Sequence, residues 1–190
     1  MKKTIITIVS VVLLCACLVG TTFAWLVDKT ETITNTFTFG NIAITLTETE
    51  GVGTEFNKSF KIVPGATINK DPKVAVTAGS EACWLFVQII ESNNTFGNNG
   101  EKFVKYEVSN DWTGLGNGIY YIKVDVSNSD INAEYYILKD NVVTVNSNAT
   151  AKDFKDAGNN FPSITFVAYA VQVVGFENAA DAWTQAQTLN

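Results

Sequence analysis

Residues 82–90 read ACWLFVQII, a nearly continuous apolar run that is followed directly by the polar residues 91–94. An apolar run of this length is typical of a β-strand that is buried on both faces. A second run, ITFVAYAVQVV at residues 164–174, has the same character. We therefore expect these two segments to form central strands of a sheet.

Around these runs, shorter segments alternate between polar and apolar residues. The clearest is TETITNTFTF at residues 30–39, where threonines lie on one face of the expected strand and larger residues on the other. Turn-forming pairs such as Pro64-Gly65 and Asp71-Pro72 separate the segments. The same patterns predict strands at residues 42–47, 56–63, 74–78, 103–108, 119–126, 135–138 and 142–145.

Two segments have helical character instead. Residues 151–157 place Phe154 among charged residues, and residues 178–186 are rich in alanine behind Asn178, a residue type that commonly caps a helix N-terminus. Many short strands with frequent turns and little helix are typical of an all-β protein. The expected architecture is a jelly-roll-like antiparallel β-sandwich with one or two short helices.

The first residues of the chain have the pattern of an export signal. Lys2 and Lys3 precede an uninterrupted stretch of apolar or small residues at positions 5–19. That stretch is shorter than the ~20 apolar residues of a membrane-spanning helix, and it matches the core of a signal peptide. We therefore expect a signal peptide at residues 1–24 and secretion of the remainder.

The cleavage site has two interpretations. Small residues flanking Phe23 favour cleavage between Ala24 and Trp25, which leaves residues 25–190 as a single mature domain. Alternatively, Leu14-Cys15-Ala16-Cys17 resembles a lipobox, and cleavage there would leave a lipidated Cys17 at the new terminus. We expect the first site to be used, because the apolar run continues beyond Cys17.

The composition of the chain excludes several classes of function. The sequence has no histidine, and its 13 basic residues, all lysine, face 19 acidic ones. Histidine-based nucleophile pairs and histidine-ligated metal sites are therefore ruled out. The net charge of −6 argues against nucleic acid, since phosphates attract basic surfaces. We expect no cofactor and no nucleic-acid partner.

Three short features are weak candidates for a binding site or a reactive group. Residues 125–130 read DVSNSD and offer oxygen ligands to a calcium ion, although the same residues form ordinary Asx-rich turns. Tyr120 and Tyr121 are expected to point to opposite faces of a strand, so that one could bind a sugar or a neighbour. Cys83 lies within the first apolar run and is expected to be a buried hydrophobic residue.

An acidic loop is a fourth feature of this kind. It contains Glu48, Glu50 and Glu55. Such a loop is more typical of a solvated connection than of a paired acid and base. We therefore expect these three carboxylates to face solvent.

Several motifs together resemble a known family. The signal-peptide end Thr21-Thr22-Phe23-Ala24-Trp25 is followed by Asp28-Lys29-Thr30-Glu31 and by Phe39-Gly40-Asn41-Ile42. Ile62-Val63-Pro64-Gly65 and Phe166-Val167-Ala168-Tyr169-Ala170-Val171-Gln172 complete the set. With these motifs the chain resembles the TasA/camelysin family of exported Gram-positive biofilm-matrix and cell-surface proteins.

The resemblance implies a jelly-roll domain and export through a dedicated ER-type signal peptidase. It also implies two different roles, because TasA is a structural protein of matrix fibres whereas camelysin has been classed as a zinc metallopeptidase. Catalytic zinc needs three protein ligands, which typically include histidine, and this chain has none. We therefore expect a structural protein and no enzymatic activity.

The segment at residues 25–39 suggests how copies of the chain would join. Its strand pattern places Ile33, Phe37 and Phe39 on one face, and it contains no proline. An exposed sheet edge accepts such a strand from another chain, so we expect a homopolymeric fibre in which this donor strand completes the next subunit. The same strand could instead pair within its own sheet.

Two other functions stay open at this point. One is a monomeric cell-surface binding or adhesion module, and the other is a camelysin-like metallopeptidase. Other matrix proteins are further candidate partners of a secreted fibre. The expected location is the extracellular matrix or the cell surface.

Overall fold

The computed structural model describes residues 41–54, 57–97, 99–125, 132–158 and 160–189. Within these ranges the chain forms fourteen short strands, two α-helices and two 3-10 turns. The elements are β1 (Ile44–Thr47), β2 (Val52–Thr54), β3 (Asn57–Ser59), β4 (Thr67–Asn69), β5 (Lys73–Val76), β6 (Cys83–Ser92), β7 (Thr95–Phe96), β8 (Glu101–Lys102), β9 (Val104–Lys105), β10 (Thr113–Gly116), β11 (Ile119–Val124), β12 (Ala133–Tyr136), the turn Lys139–Asn141, β13 (Val142–Val145), α1 (Ala151–Ala157), β14 (Ser163–Gln172), α2 (Ala179–Ala186) and the turn Gln187–Leu189.

The strands assemble into three larger sheets and two small hairpins. The sheets have the orders β1-β5-β12, β10-β11-β6-β14 and β4-β13-β9, and β2 pairs with β3 as β7 does with β8. Every pairing between these strands is antiparallel. The prediction of an all-β antiparallel sandwich with short helices is therefore confirmed.

Strand β6 is the structural centre of the four-stranded sheet. It pairs with β11 on one side and β14 on the other, with Leu85 opposite both Ile122 and Ala170. Residues 83–87 are all buried. The expectation of a central strand is confirmed for this run, whereas β14 lies at the end of the sheet order among the described strands.

The main core lies beneath one face of β6. Leu85 and Val87 point into it from β6, and Val74 and Val76 enter it from β5. Since side chains alternate along a strand, one face of each sheet supplies the core. Other buried members of this cluster are Cys83, Ile89, Phe103, Val104, Trp112, Val124, Ile137, Leu138, Val143 and Ala149.

Helix α2 covers the opposite face of the same sheet. Ala182 is fully buried against a cluster that includes Trp84 and Phe86. The Trp183 ring lies 5.3 Å from that of Phe86. Asn178 begins the helix, as expected, because its side chain accepts a hydrogen bond from the Asp181 amide at 3.0 Å. Short alanine side chains let the helix approach the sheet closely.

Helix α1 has the predicted bounds and a complete capping box. The Thr150 side chain accepts from the Asp153 amide, and the Asp153 side chain accepts from the Thr150 amide. Phe154 then stacks on Phe103 with ring centroids 5.1 Å apart. The helix therefore contributes one aromatic ring to the edge of the main core.

Several strand predictions differ from the structure. The segment 56–63 was predicted as one strand, but among its described residues, 57–63, only Asn57–Ser59 forms a strand, as part of the β2–β3 hairpin. Strand β10 was not predicted because its two glycines have weak strand propensity. It exists because the turn at Asn117-Gly118 folds it back onto β11. The predicted signal peptide with its Ala24–Trp25 junction, Cys17, and the donor strand with Ile33, Phe37 and Phe39 lie outside the described residues.

The contact between α2 and the sheet generates a stability prediction. Ala182→Gln should lower the free energy of unfolding by about 2 kcal/mol, because a longer polar side chain must enter a filled apolar interface. Ala180→Gln, on the exposed side of the same helix, should change it by about 0.5 kcal/mol or less. Urea unfolding followed by circular dichroism measures both values. Equal effects from the two variants would contradict the packing of α2 on β6.

Candidate functional site

A cleft opens where β6 leaves the buried part of its sheet. We call it the Glu91 cleft, and it has a volume of about 440 Å³. Its walls come from β6, from β8 and the segment that follows β9, and from β11 with the turn that precedes it. The lining residues include Glu91, Lys102, Tyr106, Val108, Asn117 and Tyr120.

Three side chains converge on the carboxylate of Glu91. Lys102 Nζ donates to Oε1 at 2.6 Å, and the Tyr106 hydroxyl donates to the same oxygen at 2.7 Å. Asn94 Nδ2 donates to Oε2 at 2.8 Å. The cleft therefore contains a fixed carboxylate with a lysine and a tyrosine held beside it.

Asn94 fixes the backbone that carries these partners. It is only 4% exposed, its Oδ1 accepts from the Val104 amide at 2.8 Å, and its Nδ2 donates to the Val104 carbonyl at 2.9 Å. A side-chain amide that makes two bonds to one residue acts like a short piece of sheet. Lys102 and Tyr106 flank this clamp in sequence, so their positions depend on it.

The turn Asn117-Gly118 forms the third wall. Both residues have positive φ, 51° and 76°, as a two-residue hairpin turn of this type requires. The Gly118 carbonyl accepts from the Ile89 amide at 2.8 Å. A Cβ atom at position 118 would lie 2.6 Å from the Ile89 carbonyl oxygen. Only glycine therefore allows the turn to sit this close to β6.

The network perturbs the acidity of its members. Burial acts to raise the pKa of the Glu91 carboxyl, but hydrogen bonds from its three partners together outweigh it, and the pKa lies below its usual range. Burial, and then the hydrogen bond to Glu91, raises the pKa of Tyr106 far above its usual range. At neutral pH the carboxylate is therefore charged and the phenol remains a donor.

A second depression adjoins the first. We call it the lysine groove; it measures about 630 Å³ and shares Lys102 and Tyr106 with the Glu91 cleft. Lys105, Glu107 and Lys139 also line it. Lys139 Nζ donates to Glu107 at 2.6 Å. The two depressions thus meet along one pair of side chains.

The candidate residues named from the sequence have different outcomes. Cys83 is fully buried, and burial raises the pKa of its thiol to about 11, which confirms that it is a packed hydrophobic residue without a reactive thiolate. Tyr120 lines the Glu91 cleft, while the Tyr121 ring lies 5.8 Å from that of Trp84 under α2, so the opposite faces are confirmed. Of the calcium candidate at residues 125–130, residues 126–130 lie outside the described residues.

The acidic loop behaves differently from its prediction. Glu48 accepts from Lys70 Nζ at 2.8 Å, and the two side chains are only 13% and 9% exposed. The same ammonium group lies 4.8 Å from the centre of the Phe60 ring. The expectation of a solvent-facing carboxylate is wrong for Glu48, because a buried lysine needs a partner. Glu50 is exposed, and Glu55 lies outside the described residues.

Glu91 is not among the candidate residues named from the sequence, although the strand pattern carries a signal for it. Glu91 has the same parity as Cys83, Leu85, Val87 and Ile89 in β6, so the strand pattern turns it toward the interior. A carboxylate on the inward face requires partners. Its partners lie three to fifteen residues away in other elements, and nothing local in the sequence identifies them.

Among the described residues, no group of three or more Cys, Asp or Glu side chains is arranged to hold a metal ion. In that same part of the chain, no helix combines the length and the apolar character needed to cross a membrane.

The lowered pKa of Glu91 gives a pH prediction. Because the folded state favours the ionised form, this carboxylate stabilises the fold above about pH 5, and the contribution is lost as the pH falls through the folded pKa. Glu91→Gln should lower stability by about 1 kcal/mol at pH 7, after allowance for partial exposure. The loss should shrink toward pH 3. Glu177→Gln, which removes an exposed carboxylate, is the matched control, and a pH-independent loss in Glu91→Gln would contradict the network.

The Glu91 cleft offers donors and acceptors for hydrogen bonds around one fixed carboxylate.

Comparisons of the chain with family models, with curated proteins and with solved structures gave no match. The residues of this chain are therefore the basis for assigning its function.

Proposed function

We propose that this chain is an exported structural protein whose mature form polymerises into extracellular or biofilm-matrix fibres by strand exchange. The observation that carries the proposal is that two edge strands meet. Among the described strands, β1 and β14 each lie at the edge of their sheet, and the two strands contact each other. We call the place where they meet the seam; an edge strand there can pair with a further strand through its backbone N–H and C=O groups.

The seam has a proline-free edge strand and partly covered apolar side chains, and both favour the addition of a further strand. β14 contains ten residues and no proline. Phe166 and Ala168 point from it toward the main core, and Leu46 points there from β1, yet all three are only half-buried. Apolar side chains that are incompletely covered favour the arrival of a partner with its own apolar face.

Residues 25–39 have the matching pattern, although they lie outside the described residues. Burying Ile33, Phe37 and Phe39 in a neighbour would contribute roughly 5 kcal/mol before the cost of ordering the strand. Fifteen extended residues reach about 50 Å, which is enough to cross to a second copy. The resemblance to the TasA/camelysin family supports the same role, with secretion through an ER-type signal peptidase and assembly beside other matrix proteins.

Deletion of the donor segment tests the proposal. The mature chain beginning at Trp25 should form fibres visible by negative-stain microscopy. A version lacking residues 25–36 should remain a folded, soluble monomer, because each copy keeps its acceptor seam and loses its donor. Fibres formed by the truncated chain would contradict the proposal. Unfolding of the truncated chain would also contradict it and would indicate that the strand pairs within its own subunit.

A point variant tests the face of the strand that is used. Phe37→Asp should also give a monomer, since it would place an unpaired charge in an apolar groove. Thr38→Asp, one residue away on the opposite face, is the matched control and should still polymerise. Light scattering compares the two at equal concentration. The same behaviour in both variants would exclude the proposed donor face.

A further inference from the structure

Beyond assembly, we propose that the Glu91 cleft and the lysine groove together bind a neutral oligosaccharide. The two depressions meet at Lys102 and Tyr106, so one extended ligand can occupy both. Their volumes, about 440 and 630 Å³, fall in the ~300–1,000 Å³ range of small-molecule sites. The two depressions together therefore have room for several linked rings rather than for a single small ion.

The hydrogen-bonding capacity suits a ligand rich in hydroxyl groups. A carboxylate has about four acceptor positions, and Glu91 receives three bonds from its own neighbours. Lys102 has three donors and directs one of them at Glu91. The Tyr106 hydroxyl donates to Glu91, which leaves its oxygen as an acceptor. Donors and acceptors alternate over a short distance, and each hydroxyl group of a sugar can use both.

The walls also provide apolar surface. Tyr106 and Tyr120 are both half-buried and both line the Glu91 cleft, as does Val108. Tyrosine combines an apolar ring with a polar tip. A pyranose ring likewise has apolar and polar parts, because its faces carry C–H groups and its rim carries hydroxyl groups. This match favours a sugar over a purely polar ligand.

The charges of the surface favour a neutral ligand. Its three lysines are balanced by Glu91, Glu107 and Asp140. Two of the lysines are bonded to carboxylates at 2.6 Å. A balanced and internally paired surface exerts little attraction on a phosphate, a sulfated polymer or a metal cation. The chain's net charge of −6 further opposes an anionic polymer.

The site is already organised before a ligand arrives. Asn94 clamps the backbone at Val104, and the Asn117-Gly118 turn is held to Ile89 by a backbone hydrogen bond. A preformed site spends less binding free energy on ordering its own side chains. Weak sugar contacts can therefore give measurable affinity, and many copies along a fibre would strengthen it further.

Ligand-observed NMR on the mature chain tests the proposal, and it works for fibres and monomers alike. The probes are cellohexaose, maltohexaose, mannohexaose and chitohexaose. At least one should bind with a dissociation constant in the millimolar range or tighter. Its affinity should change less than about twofold between 50 and 500 mM NaCl, because no net charge drives the contact.

Variants locate the contact. Tyr106→Ala should weaken binding by about tenfold or more. Lys102→Gln, at a side chain that is 49% exposed, should weaken it about fivefold and serves as a second variant if Tyr106→Ala is unfolded. Tyr136→Ala removes an exposed tyrosine outside both depressions and should leave the affinity within about twofold. Phe37→Asp, the assembly variant, should bind normally, which separates this proposal from the proposed function.

Three results would overturn the inference. The first is the absence of binding by all four hexaoses at 10 mM, a concentration chosen from the millimolar expectation of about 1–10 mM. The second is unchanged affinity in folded Tyr106→Ala and Lys102→Gln. The third is tighter, strongly salt-dependent binding of hexametaphosphate, which would identify the surface as an anion site.

Discussion

The burial of β6 on both of its faces is the constraint on which the rest of the structure depends. On one face Leu85 and Val87 fill the main core, and on the other Trp84 and Phe86 lie beneath helix α2. A strand buried in this way must be paired along both edges, because its backbone groups have no access to water. β11 and β14 pair with the two edges of β6. The apolar sequence of β6 therefore determines which strand lies at the centre of the four-stranded sheet.

The same strand also creates the candidate binding surface. Its inward face is apolar from Cys83 to Ile89 and then ends in Glu91. That carboxylate accepts hydrogen bonds from Lys102 of β8 and from Tyr106, which follows β9. Stability and binding are therefore joined in one element. The rigid part of the strand holds the turn at Gly118, and its last residues supply the polar groups.

The proposed assembly seam and the proposed binding surface are formed by different residues. The seam between β1 and β14 is apolar and extended, which suits a strand. The Glu91 cleft and the lysine groove are polar and charge-balanced, which suits a hydroxyl-rich ligand. A fibre with one such surface on every subunit would hold a polysaccharide at many points, and multivalency would convert weak individual contacts into firm attachment.

Elements with a strong local pattern could be predicted from the sequence, and elements defined by their partners could not. β6, β13 and both helices were predicted because apolar runs, alternation and capping residues are local signals. β4, β7, β8 and β10 were not, since they have only two to four residues and exist through pairing with other strands. The Glu91 network was missed for the same reason, because its members are brought together by the fold. The buried pair of Lys70 and Glu48 likewise joins residues 22 positions apart.

Hydrogen exchange tests the central role of β6 most directly. When exchange of a chain that comprises residues 25–190 is measured by mass spectrometry, the amides of residues 83–91 should exchange most slowly of all, at the rate set by global unfolding. The amides of the β2–β3 hairpin and of β10 should exchange much faster, because they lie at the margins of the sheets. Exchange in β6 as fast as in those hairpins would contradict the account.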